Sequence, residues 1–117
     1  DVTGVQTCAL PILDIDGTIC TWEKDGRYEN AQPFKERIEI INRLYDDGHQ
    51  IHYWTARGAN SKRDLYDLTE SQLKEWGVKY HSLRCDKPAY DIWIDDKAIS
   101  DKGYFGFDFE NEVTNRS

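Results

Sequence analysis

Residues 10–18 read LPILDIDGT, and the fold turns on how this stretch is read. Leu10 to Leu13 is a short apolar run that stops at two carboxylates, Asp14 and Asp16, followed by Gly17. A brief apolar run bounded by turn residues suits a buried strand of a parallel sheet. Residues i and i+2 share one face of a regular strand. Here the chain is leaving the strand, so both carboxylates can reach one crevice from different surroundings. Such a difference is useful when one carboxylate stays ionised and the other carries a proton. Alone, the triplet fits an acidic loop equally well.

Three more apolar runs follow: Gln50–Trp54, the weaker Val78–Leu83, and Asp91–Ile94. Between the first two strands, Pro33–Asp47 carries Phe34, Ile38, Ile41, Leu44 and Tyr45 at helical spacing. Pro33 suits a first helical turn and Gly48 a stop. Ser61–Trp76 repeats the pattern with Leu65, Leu68, Leu73 and Trp76, and Gly77 as its stop. Helices lying between strands make βαβ units. The expected fold is therefore α/β: a three-layer, Rossmann-like sandwich around a central parallel sheet of four strands. On such a sheet the strand ends converge on one crevice. The polar stretch Cys20–Gln32, with the turn signal Asp25-Gly26, is expected to be a loop or short hairpin flap beside it. Tyr104, Phe105, Phe107 and Phe109 suggest a last short strand or an aromatic segment docked on the core.

A chain of 117 residues fits one domain. We expect it to span residues 11–109, with a frayed tail at 110–117. Residues 1–12, DVTGVQTCALPI, resemble translated sequencing-adapter read-through, and the chain contains no methionine. Residues 1–10 are accordingly expected to be non-native. Pro11 sits three residues before Asp14, and proline is rare in central strands because it cannot donate to a ladder.

The net charge is −7, which opposes a broad nucleic-acid surface, since phosphate backbones are bound through Lys and Arg. It leaves room for one local cationic pocket. No apolar run approaches the roughly 20 residues of a membrane span. Three cysteines with no CxxC spacing fit a reduced, cytoplasmic chain. His49, His52 and His81 lack the spacing of a zinc site.

Each strand end carries polar chemistry. Thr55 in WTARG could donate its hydroxyl to a phosphoryl oxygen, or cap the turn that follows. Arg57, two residues on, could grip a substrate phosphate bidentately, or pair with an acid. Lys87 in CDKP could neutralise a phosphate, or be a solvated surface charge. Asp95 and Asp96 end the run IWI. Adjacent carboxylates repel unless a cation or donors offset them, and a hard cation such as Mg²⁺ is the natural partner.

Taken together, DxDGT, a threonine, a lysine and an acidic pair stand in that order at strand ends one and two, the loop after strand three, and strand end four. This resembles the haloacid dehalogenase-like superfamily of phosphohydrolases over about Leu13 to Ile99. The wording ICTWE, YWTARG, DKPAYD and IDDKA is similar to the small capsular-polysaccharide-biosynthesis phosphatases. The resemblance implies roles residue by residue. Asp14 would attack phosphorus and form an aspartyl-phosphate. Asp16 would protonate the leaving oxygen and then activate water. Thr55 and Lys87, with Arg57, would hold phosphoryl oxygens. Asp14, the Asp16 carbonyl, Asp96 and Asp95 would hold Mg²⁺. The intervals between the motifs have room for a flap and single helices but not for a cap domain, so an open site is expected.

The implied activity is Mg²⁺-dependent hydrolysis of a phosphomonoester, such as a sugar phosphate or related metabolite. A nucleotide or nucleic-acid-end phosphatase is the alternative within the same chemistry. A non-catalytic phosphate-binding or regulatory module is the alternative of another class. No membrane partner is expected, and assembly into a homo-oligomer is left open.

Overall fold

The structure, a computed structural model, describes residues 9–59 and 64–106. Three of the four apolar runs form strands: β1 (Ile12–Leu13), β2 (His52–Trp54) and β3 (Ser82–Arg84). They pair in parallel in the order β1-β2-β3, with Leu13 opposite Tyr53 and Tyr53 opposite Leu83. Helix α1 (Lys35–Asp46) connects β1 to β2, and α2 (Tyr66–Glu75) connects β2 to β3. A short helix, α3 (Asp101–Phe105), closes the described chain. The architecture is α/β with a three-stranded parallel sheet. Among the described residues no helix is long and apolar enough to cross a membrane.

Helix α1 turns Phe34, Arg37, Ile38 and Ile41 inward, the stripe expected of a 3.6-residue period. Of these, Ile38 and Ile41 meet Ile51 and Tyr53 of the β2 region, Leu83 of β3, and Ile15 and Ile19 from the loop after β1 in one core. Both long helices stop where glycine permits a left-handed residue. Past α1, Gly48 has φ 101° and His49 N–H donates to the Leu44 carbonyl. Past α2, Gly77 has φ 72° and Val78 N–H donates to the Leu73 carbonyl. This is the Schellman arrangement, in which a glycine satisfies carbonyls that the helix cannot. A Cβ at Gly77 would meet nothing within 4 Å, so only backbone strain opposes one. Gly77→Ala should therefore cost about 1–2 kcal/mol in urea unfolding, with an unchanged m-value.

The flap folds back on itself. Thr21 N–H donates to the Gln32 carbonyl, Phe34 N–H donates to the Ile19 carbonyl, and Cys20 bridges Pro33 in antiparallel sense. Between these ends lie the Asp25-Gly26 turn and a single 3₁₀ turn at Tyr28–Asn30.

One expectation needs correction. Asp91–Ile94 forms no strand: residues 85–100 lie outside regular structure, and Ile92 and Ile94 are 77% and 92% exposed. A fourth parallel strand needs a neighbour with a ladder to offer. β1 provides only two residues, preceded by Pro11 without an N–H, so its free edge is short. The aromatic stretch from Tyr104 follows the second of its two readings, a segment docked on the core, and begins in a helix. Ser100 caps α3 by accepting from Gly103 N–H, and Phe105 packs on the core. Residues 107–109 of that stretch, like the start of the expected second helix at Ser61, lie outside the described residues.

Candidate active site

Parallel strands all point their carboxyl ends the same way, so residues just past β1, β2 and β3 meet. Asp14 leaves β1 and Thr55 leaves β2. Thr55 N–H donates to the Arg84 carbonyl of β3, and the Thr55 carbonyl accepts from Lys87 N–H at 3.2 Å. These bonds lock the second and third strand ends together and set the start of the Lys87 side chain beside Thr55. The ammonium then reaches Asp14, with Nζ 3.6 Å from Oδ2. The Lys87 side chain is only 10% exposed, so it is not a solvated surface charge.

Asp14 keeps 38% of its side-chain surface. Burial pushes its pKa upward. The Lys87 charge and the Ile15 N–H, which donates to Oδ1 at 2.8 Å, pull it back down. Asp16 adds a smaller upward push. A carboxylate held by a cation on one oxygen and an amide on the other is fixed in direction, as a nucleophile requires.

Thr55 is buried, and its Oγ1 accepts from Arg57 N–H at 3.1 Å. The hydroxyl thus caps the turn. The bond uses the oxygen as acceptor and not the hydroxyl proton, so capping and donation to a ligand are compatible.

Arg57 follows the second of its two readings and pairs with an acid. Its side chain is fully buried, and Nε and Nη2 donate to the Asp16 carboxylate at 3.0 and 2.9 Å. Nη1 donates to Thr69 and Gln72 of α2, and the Tyr28 ring lies 4.8 Å from the guanidinium carbon. A guanidinium has five N–H donors in a rigid fork. Here they face protein acceptors. As placed, Arg57 is a support for Asp16 and does not line the crevice. Asp16, 12% exposed, is in turn aimed at Arg57, with the Cys20 thiol a further 3.6 Å neighbour.

Asp95 and Asp96 are not brought to the other motifs. Both are exposed. Asp95 accepts from Lys97 N–H at 2.7 Å and from the Trp93 indole N–H, bonds that hold its pKa below the usual carboxylate range. Among the described residues no group of three or more His, Cys, Asp or Glu is placed to hold a metal ion. The ligand set expected for Mg²⁺ from Asp14, Asp16, Asp95 and Asp96 is therefore not assembled. The physical reason is the missing fourth strand, whose end was to carry the acidic pair.

Sequence reasoning missed two groups of residues. Thr69 and Gln72 sit on the buried face of α2, three apart. Polar residues on a face that is otherwise apolar were the available signal, since buried polar groups seek partners. Tyr90 and Trp93 follow Lys87 at three and six residues, and their rings surround its ammonium, with centroids 5.0 and 5.5 Å from Nζ. Among the other aromatic residues, Tyr53 is a core residue, Tyr28 lies against Arg57, and Trp22 is 57% exposed.

Compared with solved structures, the chain is similar to a crystal structure of a Vibrio cholerae protein, with TM-score 0.74 and 22% identity over 91% of this chain and 94% of that one. At this identity the likeness shows the fold alone. No family model matches the chain. No curated protein matches it either.

Proposed function

We propose that the chain is a phosphomonoester hydrolase of the haloacid dehalogenase-like kind, with a capless three-layer fold. The observation that carries this is the Asp14–Lys87 pair, a fixed carboxylate with a buried ammonium 3.6 Å away. Attack by a carboxylate on a phosphate brings two anions together. A preorganised cation at the meeting point offsets that repulsion, and electrostatic preorganisation is commonly the largest catalytic contribution.

In this reading an Asp14 oxygen forms a bond to phosphorus as the ester P–O bond breaks. The leaving oxygen takes a proton from Asp16. Water then attacks the phosphorus of the aspartyl-phosphate and gives its proton to Asp16 as the Asp14 O–P bond breaks, so Asp14 is regenerated and inorganic phosphate is released. Lys87 and the Thr55 hydroxyl donate to the phosphoryl oxygens in both steps. Asp16 must turn an oxygen from Arg57 toward the crevice to serve. Mg²⁺ belongs to the proposal on the strength of the sequence resemblance. The carboxylates as placed do not form its ligand set, so these steps use the chain's own groups. A sugar phosphate or similar metabolite, handled in the cytoplasm, is the substrate the resemblance favours.

The test is release of phosphate from an aryl phosphate, with Mg²⁺ and with chelator. Hydrolysis should require Mg²⁺; turnover that survives complete chelation removes the metal from the proposal. Lys87→Met should lower kcat about a hundredfold, because one preorganised donor to the developing charge is lost. A second reading, a phosphate-binding module without turnover, is favoured by the engaged Asp16 and the outlying Asp95-Asp96 pair. It predicts phosphate binding with no hydrolysis in either condition.

A further inference from the structure

The aromatic side chains around Lys87 have no part in the phosphoryl chemistry. Tyr90 is 47% exposed and Trp93 41%, at the mouth of a site whose cation is nearly buried. Their rings meet at 63° with centroids 4.9 Å apart. Trp93 also meets Trp54 at 86° and 6.1 Å. Three rings at steep angles form a corner rather than a flat stack. The corner is held in place at both ends. The Trp54 indole N–H donates to Asp86 at 2.6 Å, and the Trp93 indole N–H donates to Asp95 at 3.4 Å. Aromatic groups of this size usually bury most of their surface, so two left half-open beside a reactive cation call for a ligand.

We infer that Tyr90 and Trp93, backed by Trp54, form a ring-binding wall for the leaving group of the substrate. This rests on the phosphohydrolase reading: a phosphate held by Lys87 would lie beside rings whose centroids are 5.0 and 5.5 Å from its Nζ. The wall suits a flat, amphipathic ring, a sugar or a nucleoside, which stacks one face and keeps the other wet. An aliphatic chain would gain little from it, because the rings do not close around a ligand. The acids bonded to the wall, Asp86 and Asp95, oppose further phosphates on the ring. The ligand class is therefore a ring-bearing monophosphate.

The experiment compares a pyranose 1-phosphate, a nucleoside 5′-monophosphate and ringless glycerol 3-phosphate on wild type, Trp93→Ala and Trp93→Phe. Trp93→Ala should raise KM about tenfold for whichever ring-bearing ester is the substrate type and less than about twofold for glycerol 3-phosphate, with kcat little changed. Trp93→Phe should restore most of the loss. The two ring-bearing arms tell sugar from nucleoside. Equal changes on ringed and ringless esters, or none on either, overturn the wall while leaving the hydrolase standing. The converse is separable through binding. An unphosphorylated methyl pyranoside or nucleoside at millimolar concentration should quench tryptophan fluorescence in wild type and not in Trp93→Ala. Quenching without any hydrolysis keeps the wall and removes the phosphatase. Absence of both removes both. A Trp93→Ala effect confined to self-association removes the wall alone and makes the patch a protein contact instead.

Discussion

Asp14→Asn should reduce phosphate release by about 10⁴-fold or more while leaving the folded state intact. The amide keeps the shape of the carboxylate and loses its nucleophilicity, and nucleophile removal elsewhere costs losses of this order. The expected stability change is small. Burial already disfavours the charged form of Asp14, which is why its pKa is pushed upward, so a neutral side chain recovers what desolvation took. What is lost is the attraction to Lys87 at 3.6 Å, discounted because Asp14 keeps 38% of its surface. The two terms oppose, and unfolding free energy should move by less than about 1 kcal/mol. Turnover within tenfold of wild type would sink the nucleophile assignment. A large loss of stability would instead mean that Asp14 is chiefly structural.

Arg57→Met should have the larger effect on stability, about 3–5 kcal/mol in denaturant unfolding. Methionine fills part of the volume and removes the charge. It leaves the Asp16 carboxylate, only 12% exposed, without its principal partner, and Gln72 and Thr69 lose a donor each. Uncompensated buried charge is the costly part, more than the pair's own attraction. The double variant Arg57→Met with Asp16→Leu should therefore recover a good part of the loss, a coupling that a double-mutant cycle reads directly. If the single variant costs under about 1 kcal/mol, the ion pair is not holding the strand ends together. A domain of this kind has roughly 5–15 kcal/mol in total, so the single variant is best tested at low temperature or with ligand.

Much of the molecule was legible from spacing. Phe34, Ile38 and Ile41 announced the first helix because a buried face must repeat with the helical period. Gly48 and Gly77 announced the ends because few other residues adopt the left-handed cap. Asp14, Thr55 and Lys87 were legible as strand-end residues, and parallel pairing then brought them together. Asp91–Ile94 was not legible. Its composition is that of a strand, but pairing is settled by what the neighbouring edge offers, and composition carries no information about an edge of two residues. Arg57 was readable only as a choice between phosphate and acid. The choice was decided by Thr69 and Gln72, acceptors from a helix whose orientation no local pattern specifies. The ring corner at Tyr90 and Trp93 escaped for the same reason: its members are made neighbours of Lys87 by the path of an irregular segment.

The two-residue length of β1 has a consequence for how the molecule breathes. Among the described residues β2 is flanked on both sides, whereas β1 leans on one neighbour. Amide hydrogens along β2 should then exchange with solvent only in the largest openings, and those of Ile12 and Leu13 in much smaller ones. Asp14 rides on the strand that lets go first. The proposed nucleophile is thus attached to the least protected part of the sheet, and a ligand bridging it to Lys87 would act as a clasp, slowing exchange across the whole strand.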